Sequence, residues 1–357
     1  MTRELKYNEA ILEATDQAMQ MDPSIYLMGL GVPDPKGIFG TLTGMAEKYG
    51  PNRVMDMPTS ENAMTGIAIG SAMAGMRPIM THQRVDFFRL ALDQLINNAA
   101  KWHYMFGKKM SVPLVIRLII GRGWGQGPQH SQSLQSFFAH IPGLKVVMPA
   151  SPYDAKGLLI SAIEDNNPVV FLEHRWLHEV FGPVPEEYYK VPLGKAKIVQ
   201  EGSDVTLVAC SHMVLESYRA ACLLQDEGIS VEIIDVRSLK PFDKETILAS
   251  LKKTGRLIVA DPDWKFAGFG AEIIATLVEE GISMFKCTPV RIGFPDRLCP
   301  TSWTLSNHFY PTAKHIALEI LKMLEKPVRA RSLLEEILKH TIGEPLDVPN
   351  KEFTGPF

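Results

Sequence analysis

The sequence predicts an α/β protein of two doubly wound, mostly parallel-sheet domains, and three of its features carry that prediction. Short β-type apolar runs alternate with amphipathic helical stretches along most of the chain. The stretch "FGPVPEEYYKVPLGKAKIVQEG", rich in prolines and acids, interrupts the alternation, which then restarts. A length of 357 residues with 46% hydrophobic content is enough to build two cores. The expected boundaries are residues 1–182 for the first domain, 183–195 for a linker, 196–326 for the second domain and 327–357 for a C-terminal extension.

In the first domain "KYNEAILEATDQAMQMD" has helical spacing, "IYLMGLGV" reads as a buried strand and "NRVMDMP" as a short extended piece. A helix follows over residues 62–75, where Gly66, Ala68, Gly70, Ala72, Ala74 and Gly75 put small side chains nearly all round. That composition predicts a buried, closely packed helix. "RPIMTHQ" and "VPLVIRLII" are strands on either side of one long helix, "FFRLALDQLINNAAKWHYMFG". The strand "LKVVMPA", the helix "SPYDAKGLLISAIEDNN" and the strand "PVVFLEH" complete this half. The second domain repeats the rhythm: "DVTLVAC", "SVEIIDV", "RLIVAD" and "CTPVRIGFP" as strands, interleaved with four helical stretches ending in "PTAKHIALEILKMLEK". Strands that read as continuous apolar runs are buried on both faces, so helices should cover each sheet on two sides. The extension holds one amphipathic stretch and a polar, proline-bearing end.

A net charge of -3 argues against a nucleic-acid or anionic-membrane surface. The longest apolar run, "VPLVIRLII", is broken by Arg117 and is too short to span a bilayer, and the N-terminus lacks a signal-type apolar block. Cys210, Cys222, Cys287 and Cys299 have no C-x-x-C spacing and read as buried thiols in a reducing compartment. A soluble, cytoplasmic protein is expected.

Four stretches could carry chemistry. Glu61 opens the small-residue helix; it is either a first-turn acid behind a Thr59 or Ser60 cap, or a buried carboxylate with a ligand to meet. Burial disfavours the ionised form, so such a group must be paired or neutralised, and it suits hydrogen bonding to a heterocycle nitrogen. Phe87 and Phe88 are either core residues or a face for a flat ring. Gly121, Gly123, Gly125 and Gly127 alternate ahead of His130, without a phosphate-loop pattern; a mobile loop beside an acid–base histidine is the functional alternative to a solvent-facing turn. Asp165, Asn166 and Asn167 end a helix with turn residues, or with oxygens able to hold a hard cation.

Taken in order, "MPTSENAMTGIAIGSAMAGMRPI", "FFRLALDQLINNAAK", "QHSQSLQSFFAHIPGLKVVMPASPYDAKGLL", "EDNNPVVFLE" and "YYKVPLGKAKIVQEGSDVTLV" form one series. It resembles the β subunit of the thiamine-diphosphate-dependent 2-oxo acid dehydrogenases, pyruvate or branched-chain type, over roughly residues 4 to 326. The resemblance implies a transketolase-like fold, with a pyrimidine-binding domain followed by a transketolase C-terminal domain. It implies that Glu61 hydrogen-bonds the cofactor's aminopyrimidine nitrogen and so promotes formation of the reactive carbanion. Phe87 would stack on the pyrimidine, with Gln83 of the same stretch also cofactor-binding, and His130 would serve proton changes at the thiazolium end. Leu114, Ala162, Asp165 and Asn167 match positions that hold a structural potassium ion.

No G-D-G occurs in the chain, whereas the family's diphosphate and magnesium half-site uses one. A partner α subunit is therefore implied, in an α2β2 heterotetramer with magnesium mainly on the partner, and a lipoyl-bearing acyltransferase downstream. Three departures stand out: Leu30 replaces a family acid proposed to couple paired sites, with Asp93 of that chain retained; "THQRVDFF" brings in His82 and Arg84; and "LCPTSWTLS" replaces the usual D-T-P-x-P. Two alternatives to decarboxylation and acyl transfer to a lipoyl carrier therefore stand. One is transketolase-like or synthase-like carbon–carbon chemistry on a sugar or specialised metabolite. The other is a non-catalytic assembly subunit.

Overall fold

The computed structural model describes residues 3–121, 126–225, 227–306 and 308–326. Its strands, in chain order, are β1 (Glu4–Lys6), β2 (Ile25–Met28), β3 (Val54–Met55), β4 (Arg77–His82), β5 (Val115–Ile120), β6 (Lys145–Val147) and β7 (Val169–His174). They continue as β8 (Phe181–Pro183), β9 (Lys197–Gln200), β10 (Val205–Ala209), β11 (Val231–Asp235), β12 (Ser238–Lys240), β13 (Leu257–Trp264) and β14 (Val290–Phe294). One sheet runs β12-β6-β7-β5-β4-β2-β3 and another β14-β13-β10-β11-β9; β1 and β8 form a separate antiparallel pair. Within the two large sheets only β12 and β9, both at edges, run antiparallel to their neighbours.

Alternation of side chains explains why these strands are apolar throughout. In β5, Ile116, Leu118 and Ile120 join one core while Val115 and Ile119 join the other; in β7, Val170 and Leu172 oppose Val169 and Phe171. Both faces of the first sheet are thus dry, and each fully buried side chain such as Phe171 contributes roughly 1.5–3 kcal/mol. One core continues without a break from Met80, Phe88 and Phe138 into Ile234 and Val259 of the second sheet and Phe269 of the helix Phe269–Glu280.

Several expectations are corrected. The helix after β4 starts at Val85, not Phe87, and is not one regular rod: 3-10 geometry over Arg89–Ala91 and π geometry over Gln94–Ala99 precede the α-helix Ala100–Met105. The stretch from residue 181, which interrupts the alternation in the sequence, carries β8 and β9 near its two ends, and between them Tyr189 stacks on Tyr153 with centroids 4.7 Å apart. A left-handed turn over Gly37–Gly40, a short helix at Met45–Tyr49 and the strand β12 have no counterpart in the sequence pattern. Cys210 and Cys299 are buried, but Cys222 is exposed and Cys287 half-buried. No helix among the described residues is long and apolar enough to cross a membrane. Gly123, Gly125 and the extension 327–357 lie outside the described residues.

Candidate active site

The first sheet changes direction of growth at β2: β3 was added on one side of it, β4 and β5 on the other. Ligands of open α/β sheets bind in the crevice beyond the strand ends at such a switch. Here Gln83, just after β4, donates through Nε2 to the carbonyl of Leu30, just after β2, at 3.1 Å.

Glu61 enters this region from the helix Glu61–Met73, which follows β3. Ser60 occupies the cap position, yet its side chain makes no capping hydrogen bond, so the ordinary cap expected there is not formed. The first turn is held instead by Thr65 Oγ1, which donates to the Glu61 carbonyl at 2.7 Å. The Glu61 side chain is 7% exposed, and its carboxylate has no hydrogen-bond or ion-pair partner among the described residues. The helix buries Thr65, Ala68, Ile69 and Ala72 against its own chain, whereas Asn62, Ala63, Ile67 and Gly70 face outward, with Ile67 57% exposed. Burial on all sides, as its composition suggested, is met on one face only.

Phe87 and Phe88, adjacent in sequence, part company in the fold. Phe88 is wholly in the core, while Phe87 is 40% exposed and meets the edge of His130 with centroids 5.2 Å apart and planes 87° apart. An aromatic face and an imidazole from residues distant in sequence thus share one place. A flat heterocycle on Phe87 and a ring nitrogen at Glu61 is chemistry that this donor set fits.

His82 and Arg84 flank Gln83. Both are buried. Burial pushes the His82 imidazole down to about 3, and Nε2 has no partner, its ring lying edge-on to Phe88 with centroids 4.8 Å apart. Burial also pushes Arg84 down to about 10, against the pull of Asp86. Arg84 Nη2 donates to Gln126 Oε1, and Nη1 reaches the Gly121 carbonyl at 3.5 Å. Gly121 itself has φ +78°, and a Cβ there would lie 2.5 Å from Nε2 of His174, at the end of β7. The ends of β4, β5 and β7 therefore converge, with no room for a side chain at the middle one.

The potassium residues form a separate group. Arg77 donates to the carbonyls of Ile163 and Asp165 at 3.0 and 2.9 Å, Lys145 Nζ pairs with Asp165 Oδ2, and Asp165 Oδ1 accepts from the Asn167 amide at 2.8 Å. The Leu114 carbonyl accepts from the Val169 amide at 2.9 Å and Ala162 is buried. Two cationic side chains already serve this helix end. Leu30 is partly exposed where the family acid was expected, and Asp93 accepts from Asn97.

Sequence reasoning missed an acidic pair at the end of β13. Asp261 accepts from Gln135 Nε2 at 2.7 Å and from the Gly270 amide at 3.3 Å, and Asp263 accepts from Ser136 Oγ at 2.5 Å. Burial, then the charge of Asp261, raises Asp263 to about 7. Gln135 and Ser136 lie five and six positions beyond His130, so this pair anchors the segment that carries the histidine. The only sequence signal was the acid–proline–acid run after an apolar strand.

Comparisons with known proteins agree with this architecture. The family described as "Transketolase, pyrimidine binding domain" matches residues 3–179, and "Transketolase, C-terminal domain" matches residues 194–316. The chain is 42% identical over 335 residues to the β subunit of an acetoin:2,6-dichlorophenolindophenol oxidoreductase of Cupriavidus necator, covering 91% of this chain and 99% of that one. It is 42% identical over 318 residues to a mitochondrial pyruvate dehydrogenase E1 component subunit beta-2 of Oryza sativa subsp. japonica, covering 88% and 85%. Among solved structures, a split-gene transketolase described as an inactive β4 tetramer superposes with a TM-score of 0.73 at 23% identity, covering 89% of this chain and 98% of that one. That last likeness speaks for the fold alone.

Proposed function

This chain belongs to the family of thiamine-diphosphate-dependent 2-oxo acid dehydrogenase β subunits, and on that premise we propose that it is the cofactor-activating half of a 2-oxo acid dehydrogenase. The observation that carries the reading is Glu61: a buried carboxylate, at a helix N-terminus beside the sheet's switch point, with no partner from the described chain. When bound, thiamine diphosphate supplies a nucleophilic carbon able to accept the acyl group of a 2-oxo acid as carbon dioxide leaves.

The residues of this chain have distinct tasks. Glu61 would hold the cofactor's aminopyrimidine nitrogen through its carboxyl group and take or give a proton there. Phe87 offers its exposed face to the ring, and the edge-on His130 limits how far Phe87 can turn. Gln83, tied to the Leu30 carbonyl, closes the crevice floor between β2 and β4. His130, edge-on to Phe87, would move protons at the thiazolium end of the site, a role open to an imidazole.

The diphosphate and magnesium fall to an α subunit, since the chain contains no G-D-G. An α2β2 assembly follows, and the outward face of the helix Glu61–Met73, with Ile67 at its centre, is suited to close packing against the partner. A lipoyl-bearing acyltransferase takes the acyl group, potassium binds near Leu114, Ala162, Asp165 and Asn167 alongside Arg77, and the complex works in the cytoplasm. A second reading, carbon–carbon bond chemistry on a sugar-like substrate, is favoured by one observation, the buried Arg84 cation beside the neutral, buried His82 at the crevice.

The test is co-purification with the α subunit and replacement Glu61→Gln. Turnover should fall by about 10²–10⁴-fold, the range of general acid–base catalysis, while the mass of the assembly is unchanged. Turnover equal to that of the unaltered complex would refute the role.

A further inference from the structure

We propose that Arg84 binds an anionic group at the far end of the substrate, so that this subunit serves 2-oxo substrates whose side chain ends in a carboxylate or phosphoryl group. The inference rests on the cofactor site assigned above and names its substrate class. Arg84 caps the short helix Val85–Phe88, and its carbonyl accepts from the Phe87 amide at 3.3 Å. Its guanidinium holds Gln126, four residues before His130, and its backbone opens the short helix that carries Phe87, so Arg84 is tied through the chain to both members of the Phe87–His130 pair.

Its charge is left uncompensated by the described chain. No carboxylate lies within ion-pair distance of Arg84 among the described residues, and Nε makes no hydrogen bond there. Asp86, the acid that acts on it electrostatically, is engaged by Gln132 Nε2 at 2.6 Å. A second buried cation adds to the field: Arg175 lies 4.1 Å and Arg84 5.7 Å from the centroid of the same Phe39 ring. Burial, followed by repulsion from Arg84, pushes Arg175 down to about 10, so both remain charged at neutral pH. Keeping a guanidinium out of water without a counter-ion is unfavourable, and an arriving anion offsets that penalty.

The backbone points the same way. Gly37, Ile38, Phe39 and Gly40 have φ of 49°, 41°, 60° and 84° in succession. Left-handed geometry is unfavourable at a β-branched and an aromatic residue and persists where surrounding contacts impose it, as at ligand clamps. Here it delivers Phe39 to the two arginines. A planar guanidinium with free N–H groups matches carboxylate and phosphoryl oxygens, and the nearby neutral His82 brings no competing positive charge.

The experiment uses the complex with its α subunit. Substrates are 2-oxobutyrate, with an apolar end, 2-oxoglutarate, with a carboxylate, and phosphohydroxypyruvate, with a phosphoryl group. One of the two acidic substrates should show the higher kcat/KM, which also decides between carboxylate and phosphoryl recognition. Arg84→Gln should reduce that preference about 10- to 100-fold through KM, as expected for loss of a charged hydrogen bond, and Arg84→Lys should restore part of it. A preference for 2-oxobutyrate, or a preference ratio untouched by both variants, overturns the proposal. Melting curves give a readout free of turnover: glutarate or inorganic phosphate should raise the melting temperature of the unaltered complex more than butyrate does, and Arg84→Lys should shrink that difference. No difference in the unaltered complex also overturns it. Absence of turnover on every 2-oxo acid, with the melting shift present, would instead count against the dehydrogenase reading.

Discussion

Two clusters in the first domain are equally dry and differ in how their charges are answered. In the middle of the sheet, Arg117 on β5 donates through Nε to Glu173 on β7 at 2.9 Å, with Nη2 2.7 Å away, and Glu173 Oε2 faces His178 Nε2 at 3.4 Å. Burial alone would raise Glu173, but Arg117 and His178 hold it below the usual carboxylate range. At the crevice, Glu61, His82 and Arg84 are just as enclosed, yet Glu61 has no partner, His82 Nε2 has none, and Arg84 has no carboxylate. The difference separates polarity that the chain uses for its own cohesion from polarity that the described residues leave unanswered, which under the proposed function is held ready for another molecule. Removing one half of an answered pair should damage the fold; neutralising an unanswered group should damage function.

The comparison breaks or holds on four measurements. The largest effect is expected for Glu173→Gln, which strands Arg117 in the core and should lower unfolding free energy by about 3–5 kcal/mol in urea titration. Next is Asp263→Asn. Because its folded carboxyl is raised from 3.8 to about 7, the native state binds more protons than the unfolded chain in that window, and stability falls as pH rises from 4 to 7. The substitution should flatten that limb and stabilise the protein at pH 8 by roughly 2–4 kcal/mol, read from melting across pH.

His82→Phe tests the opposite sign. Its imidazole is depressed from 6.5 to about 3, so stability contributed by the neutral form is present above 6.5 and is lost as pH falls toward 3. Phenylalanine should remove that acid limb and add about 1 kcal/mol at pH 7, since a buried nitrogen without a partner disappears. The smallest stability change belongs to Glu61→Gln, about 0.5 kcal/mol or less, although turnover should fall by about 10²–10⁴-fold. A large loss of stability there would mean that Glu61 serves the fold, and the contrast between the clusters would fail.

Much of the architecture was legible because its signals are local. Apolar runs such as "VPLVIRLII" and "PVVFLEH" name strands buried on both faces whatever their neighbours, and β5 and β7 lie where those runs fall. β12 was not legible, because three residues become a strand only by pairing with β6 some ninety positions earlier. The same limit applied to the helix after β4: its apolar spacing was visible, but the π geometry at Gln94–Ala99, where the segment packs against the helix Glu61–Met73, was not.

For the site, residue types and order were enough to select Glu61, Phe87 and His130 as candidates, together with His82 and Arg84 as departures. Sequence by itself determined the alternating elements, the family and the missing G-D-G half-site, because each is written in residues that are neighbours along the chain. Tertiary structure alone decided that Phe87 opens to the crevice while Phe88 is sealed, that Phe39 reaches both Arg84 and Arg175, and that Gln135 and Ser136 meet Asp261 and Asp263. Those outcomes depend on distance and exclusion of water between segments far apart in sequence, and the charge state of a buried group depends on what surrounds it.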